Sequence, residues 1–243
     1  MKCAGLSSAF IFHYNLGMLK QLSELLLAFA VHLPALLVAL CLSVYWTAVV
    51  IKLVILASKI GKDPNAMPRE RVGQLMRLIW YPAIILQVLH AWRMALGIHW
   101  PYPANQVPPF FRLPFDRPPM WWWIAAPLAT MIVILCTRLT FVCWHKMGRS
   151  WRIGIDPGET LELVSTGPYR YVRHPIYALR ILLDLCAIVV IPTPFMAVVT
   201  FIDIILLQIE ARREERYMEA KHGAVYGDYK KNVGRFVPRR LVV

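Results

Sequence analysis

The sequence predicts an all-α, multi-pass helical membrane protein with about five transmembrane helices, the last two forming a short C-terminal hairpin. Three observations carry that prediction. Hydrophobic residues make up 58% of 243 positions and charged residues only 17%, against about 25% charge in a soluble domain. Mean hydropathy is +0.50. The apolar residues also fall in runs long enough to cross a bilayer, with the charge gathered between them. The chain reads as one integral membrane domain over 1–243, with spans in 1–144 and a more polar C-terminal region in 145–243. A large second domain has no room.

The first apolar run covers 25–57. It exceeds the ~20 residues that cross a bilayer, so it tilts, kinks near Pro34, or protrudes. The link at 58–77 is basic, with Lys59, Lys62, Arg69, Arg71 and Arg77. A second run covers 78–96, and a loop rich in proline and aromatics follows at 97–120. Trp121, Trp122 and Trp123 open a third run that ends near Trp144; tryptophans at the edge of an apolar run predict an interfacial belt. The link at 145–177 is basic again, with Lys146, Arg149, Arg152, Arg170 and Arg173. Two arms, 178–191 and 195–209, then flank Pro192-Thr-Pro194. Each is roughly 22 Å long as a helix, and the prolines stop one helix and start the next. The second arm continues as a charged helix over 210–222 that ends at Gly223.

The net charge of +13 resides in the links and the tail. That pattern indicates orientation by positive loops rather than a nucleic-acid-binding stripe. It places 58–77, 145–177 and 210–243 on the cytoplasmic side and the 97–120 loop outside. The five cysteines, Cys3, Cys41, Cys136, Cys143 and Cys186, are odd in number and lack a CxxC pair. They read as small buried hydrophobes, with neither a disulfide framework nor a metal site expected. No cleaved signal peptide is expected at the N-terminus.

GxGxxG, GxxxxGK[ST], HExxH and GxSxG are all absent, which argues against a Rossmann site, a P-loop, a zincin and a serine hydrolase. Dense polarity occurs in two places. The first is Gly167-Pro-Tyr-Arg-Tyr-Val-Arg-His-Pro-Ile-Tyr177. Gly167-Pro168 marks a turn and Pro175 holds His174 extended, which predicts a rigid loop before a membrane helix. Arg173 and His174 offer donors for a carboxylate, and tyrosine faces can stack on an adenine or a cationic sulfur. Ordinary juxtamembrane anchoring would use the same residue types. The second place is Glu210-Ala-Arg-Arg-Glu-Glu-Arg-Tyr217, where Glu210, Arg213 and Glu214 share a helix face flanked by Glu215. This block is either a solvated face laced with ion pairs or half of a site for a zwitterionic, nucleotide-like ligand. Inside the hairpin, Arg180 and Asp184 are four residues apart and Asp203 and Gln208 lie on the other arm, which predicts a fastening ion pair or a contribution to the site. Arg93 and Arg138 are open to the same two readings. His13, His32, His90 and His99 read as core or interface histidines.

Taken together, these segments resemble the isoprenylcysteine carboxyl methyltransferase family. Gly148-Arg-Ser-Trp151, the 167–177 loop, and Glu214-Glu215 followed by Gly223, Tyr226, Tyr229-Lys-Lys231 and Pro238 carry the resemblance, over roughly 145–240. It implies S-adenosylmethionine held by a cytosolic loop and the C-terminal helix, and methyl transfer at the membrane–cytosol boundary. The acceptor would be amphiphilic: a lipid, or a lipidated small molecule or protein, offering a carboxylate, thiol or amine. By position, Tyr169, Arg173, His174, Pro175, Tyr177, Glu210, Glu215 and Tyr229 are the expected cofactor-binding residues. Arg213, Glu214 and Arg212 are the expected catalytic group, with Arg212 or Arg213 holding an acceptor carboxylate. Neither a metal nor nucleic acid is implied. The family usually has glycine two positions after the loop tyrosine. Here Leu179 stands there, and its side chain would narrow the cofactor entry or shift helix packing. In-line displacement on a sulfonium needs alignment and exclusion of water more than a catalytic dyad. Two alternatives share the pattern: an NADPH-dependent enzyme like the membrane sterol reductases, which are generally longer, and a non-catalytic protein that keeps the fold. A transporter is disfavoured because the polar residues gather at one face.

Overall fold

The computed structural model describes residues 4–61, 63, 66–68, 70–98, 106–115, 117–148, 151 and 162–239. Arg149, Ser150, Arg152, Lys62, Arg69, His99 and Cys3, which figured in the sequence reading, lie outside that set. The described residues form six α-helices: α1 (Ala4–Ile60), α2 (Arg71–Ala95), α3 (Met120–Met147), α4 (Pro175–Val190), α5 (Pro194–His222) and α6 (Ala224–Asn232). Among them, four helices are long and apolar enough to cross a membrane: the Met18–Lys59 part of α1, α2, α3 and α5. With 16 residues, α4 spans roughly 24 Å against a hydrocarbon core of about 30 Å. The all-α multi-pass architecture is as expected.

The central core lies among α1, α2, α3 and α4, with α3 and α4 in the most extensive contact. Ala35, Ala39, Ala91, Ala126, Ala129 and Ala187 are buried beside Val38, Leu42, Val133 and Leu183. Small residues let helix backbones approach closely where lipid supplies no hydrophobic drive. Thr130, Thr137 and Thr140 return their hydroxyls to carbonyls four residues earlier in α3, so their polarity is met within the helix. Leucines and isoleucines such as Leu86, Leu89, Leu128 and Leu135 cover the outer faces.

The proline-bounded turn behaves as its sequence predicts. Thr193 caps α5 by accepting a hydrogen bond from the Met196 amide at 3.2 Å, with Pro194 at the first helical position. His90 is hydrogen bonded to Thr193 Oγ1 at 2.9 Å and packs on Phe195. At the far end of α5, Gly223 takes φ +53°, a left-handed conformation that glycine adopts at little cost. The tryptophan belt is only partly a belt: Trp121 is exposed but Trp122 is buried in the core, because successive helical positions point about 100° apart. Leu179 packs against that same core.

The N-termini of α2 and α4 meet the charged half of α5, through Arg77 with Glu210 and Tyr177 with Glu214, and α1 and α3 bring Val49 and Met147 to the cavity beside it. The basic links therefore share one end of the bundle, and the site described next lies there.

Candidate functional site

The 167–177 loop is more regular than a rigid coil. Gly167–Arg170 forms one 3-10 turn, Gly167 has φ +63°, and Pro175 is the first residue of α4. The loop is tied to the C-terminal tail by backbone pairing. The Arg173 amide donates to Gly234 O at 2.8 Å and the His174 amide to Arg235 O at 3.1 Å. Gly234 is required there, since a Cβ would sit 1.8 Å from the Val237 carbonyl oxygen.

Glu215 joins these pieces. It is buried, and accepts from Arg173 Nε and Nη2 at 3.2 and 2.8 Å and from Arg235 Nε and Nη2 at 2.8 and 2.7 Å. Arg173 Nη1 donates to the Lys230 and Val233 carbonyls. Every nitrogen of the Arg173 guanidinium is thus committed within the protein. The donors that the sequence offered to a ligand carboxylate instead clamp the loop to α5 and the tail.

His174 lies between two carboxylates, with Nδ1 3.3 Å from Glu214 and Nε2 3.4 Å from Glu215. Burial works against its protonation, but the Glu214 and Glu215 carboxylates outweigh burial and hold its pKa above the ordinary value. Its ring is parallel to Tyr177, with centroids 5.4 Å apart. The Tyr177 hydroxyl donates to Glu214 and the Tyr229 hydroxyl to the Tyr169 carbonyl. Burial pushes Tyr229 up to about 12 and raises Tyr169 and Tyr226 further, so all three remain neutral phenols.

These groups border a cavity of about 170 Å³. Its polar end is walled by Glu162, Tyr169, Arg173, His174, Pro175, Tyr177, Glu214, Tyr217, Met218, Tyr226 and Tyr229, and its inner end by Tyr45, Trp46, Val49, Arg77, Trp80, Arg180 and Leu207, with Trp144 and Trp151 also in the wall. Of the expected site residues, Tyr169, Arg173, His174, Pro175, Tyr177, Glu214 and Tyr229 line it. Glu215 lies behind the wall. Glu210 and Arg213 also stand outside it, paired with each other, and Arg213 reaches Glu70. Arg212 is exposed. Neither Arg212 nor Arg213 touches the cavity, because α5 turns that face toward α2 and solvent. Leu179 does not border the cavity either; it faces an open apolar groove beside Leu139, Cys143 and Pro238.

Below the polar layer is a buried charge network. Arg180 pairs with Asp184 and Asp203, each at 3.1 Å, and donates to Gln87 at 2.6 Å. Trp80 Nε1 donates to Asp203. The expected fastening of the hairpin is present, and Arg180 also borders the cavity. Arg93 instead closes the opposite end by donating to the Ile98 and Phe111 carbonyls, while Arg138 lies on the exposed face of α3.

Sequence reasoning passed over Arg77, Trp46, Trp80 and Arg235. Arg77 counted only as one basic residue of a link, although an arginine three residues before a tryptophan, at the mouth of an apolar run, is a usable signal. Among the described residues no group of three or more His, Cys, Asp and Glu side chains could hold a metal ion.

Comparison with known proteins meets this geometry in the same place. An uncharacterised protein of Bacillus subtilis (strain 168), YpbQ, is 29% identical over 132 residues, covering 50% of this chain and 74% of that protein. The model of the isoprenylcysteine carboxyl methyltransferase family matches residues 128–220, which run from α3 through the loop and the α4–α5 hairpin to the charged half of α5. Over that segment, the chain is similar to the isoprenylcysteine carboxyl methyltransferase family.

Proposed function

We propose that this protein transfers a methyl group from S-adenosylmethionine to an amphiphilic acceptor at the membrane–cytosol interface, with the 167–177 loop facing the cytosol. The observation that carries the reading is the cavity itself: one end is tyrosine, histidine and carboxylate in the polar layer, and the other opens among helices that belong in lipid.

The residues fit the donor. Tyr169, Trp144, Trp151, Tyr226 and Tyr229 supply aromatic faces for an adenine or a sulfonium. Glu214 retains acceptor capacity for an ammonium or ribose hydroxyls beyond the bonds from Tyr177 and His174. His174 stands between Glu214 and Glu215, its Nε2 3.4 Å from Glu215, and so helps to position Glu214 for the donor. S-adenosylmethionine supplies the electrophilic methyl, and its leaving group is neutral. The protein contributes position. Arg173 and Glu215 hold the loop, the loop sets His174 and Tyr177, and the aromatic walls exclude water that would compete as a nucleophile. A carboxylate or thiolate acceptor then needs no base, and neutral tyrosines at the polar end do not oppose an anionic nucleophile.

The test is calorimetric titration of the detergent-purified protein with S-adenosylhomocysteine, with NADPH in parallel. Saturable binding of S-adenosylhomocysteine and none of NADPH is expected. Binding of NADPH alone by folded protein would replace methyl transfer with reduction.

A further inference from the structure

Helix α1 is longer than a membrane requires. Its 57 residues extend roughly 85 Å, against a hydrocarbon core of about 30 Å. The bundle holds only part of it: the α1 residues packed on the apolar cores run from Val31 to Leu56, roughly 38 Å of helix. His32 marks where α1 leaves the bundle, because its Nδ1 is hydrogen bonded to the Met94 carbonyl at 3.0 Å, and Met94 is one residue from the end of α2. This end faces away from the cavity, which α1 borders through Tyr45, Trp46 and Val49. The packed stretch already suffices to cross a bilayer, so residues 18–29 continue beyond it. Leu22, Leu25, Leu26, Leu27 and Phe29 lie there, each more than half exposed.

The two sides of this segment continue two sides of the stretch within the bundle. At helical spacing, Leu22, Leu26 and Phe29 share a side of α1 with Leu40, Val44 and Ile51, which are exposed on the outside of the bundle where lipid lies. Lys20 and Glu24 share the other side with Ala35, Val38, Leu42 and Val49, which are buried against the neighbouring helices. The bundle-facing side therefore turns from apolar to charged where the bundle ends, while the lipid-facing side stays apolar. A helix standing straight out would leave that apolar side in water. Pro34 lies inside α1 and is buried on the bundle side, and its ring opposes the Ala30 carbonyl. That clash opens the helix on the proline side and bends the preceding segment toward lipid. Bending that way lays Leu22 and Leu26 onto the membrane and turns Lys20 and Glu24 to water.

We propose that residues 18–29 are an interfacial helix that docks on the membrane surface at the end of the bundle away from the cavity, with Leu22, Leu25, Leu26 and Phe29 in the boundary between head groups and acyl chains and Lys20, Gln21 and Glu24 in water. The partner of the exposed leucine face is lipid, because that face is continuous with one that the bundle already gives to lipid. The inference stands apart from the methyl-transfer reading and needs no ligand in the cavity.

The experiment uses the full chain reconstituted into phosphatidylcholine vesicles, with a nitroxide spin label on one introduced cysteine at a time: Lys20→Cys, Leu22→Cys, Glu24→Cys or Leu26→Cys. All four carry Cys3→Ser, and the Cys3→Ser parent supplies the background from Cys41, Cys136, Cys143 and Cys186, the last three of which are buried. Collision of each label with oxygen, which concentrates in lipid, is compared with collision with a water-soluble nickel chelate. The oxygen-to-nickel ratio should be about threefold higher or more at 22 and 26 than at 20 and 24. Each of the four sites is exposed, so the labels replace no core contact. A low ratio at all four sites would mean a helix standing in water and would overturn the proposal, and a high ratio at all four would mean full immersion and overturn it equally. Labels at 22 and 26 shielded from both colliders, with dipolar broadening between spins, would mean that the leucine face meets a second copy of the chain, and lipid would be the wrong partner.

Discussion

Replacing Glu215 with glutamine should loosen the whole polar layer while leaving the spans folded. The carboxylate is 2% exposed and accepts four guanidinium hydrogen bonds, two from Arg173 and two from Arg235. A neutral amide keeps one oxygen and substitutes a donor for the other, so a donor faces a guanidinium. It also removes the only carboxylate paired with buried Arg173 among the described residues. Breaking a buried pair by removing one partner costs about 3–5 kcal/mol, since the surviving charge stays buried. For a chain of this size about 1 kcal/mol moves Tm by 2–4 °C, so the expected loss is roughly 6–20 °C. The assay is thermal unfolding in detergent followed by fluorescence, with limited trypsin digestion below the transition. Because Arg173 also holds the Lys230 and Val233 carbonyls, Glu215→Gln should cleave faster after Lys230, Lys231 and Arg235 than wild type does. A Tm within 3 °C of wild type and an unchanged digestion pattern would refute the view that Glu215 joins loop, helix and tail.

Four further outcomes are expected. The pKa of His174 is raised in the folded protein, so its contribution is full below the unfolded value of about 6.5 and is lost as pH rises through the folded value; Tm should fall across that alkaline side, and His174→Gln should flatten the profile. Arg180→Leu leaves Asp184 and Asp203 buried without their guanidinium and should cost about 3–5 kcal/mol, with part recovered by adding Asp184→Asn, as measured by denaturant titration. Gly234→Ala drives a methyl into the Val237 carbonyl, and about 1–3 kcal/mol of overpacking should appear as a lower Tm and faster tail digestion. Glu214→Gln lines the cavity without carrying the clamp, so it should weaken S-adenosylhomocysteine binding about tenfold or more with Tm little changed; an unaltered affinity would remove Glu214 from the donor site.

Much of the architecture was legible in the chain. Apolar run length located the spans, Pro192-Thr-Pro194 located the hairpin turn, and Gly223 located the end of α5, because each depends on local chemistry that no distant residue can override. The loop motif likewise led to residues that line the cavity. The function of individual charges there was much less legible. Arg173 looks equally suited to a ligand carboxylate and to an internal clamp until Glu215, 42 residues later, is seen 2.8 Å away.

The sequence by itself determined a helical membrane protein with its charge at one end and a methyltransferase-like loop and helix beside it, because hydropathy, helix stops and short motifs are properties of contiguous residues. Only the tertiary structure decided which polar groups spend their hydrogen bonds inside the protein and which are left to face the cavity. Arg77 meets Glu210 across 133 residues and Gln87 meets Asp184 across 97. Such pairings depend on which helix faces pack together and at what height, and no local pattern records that.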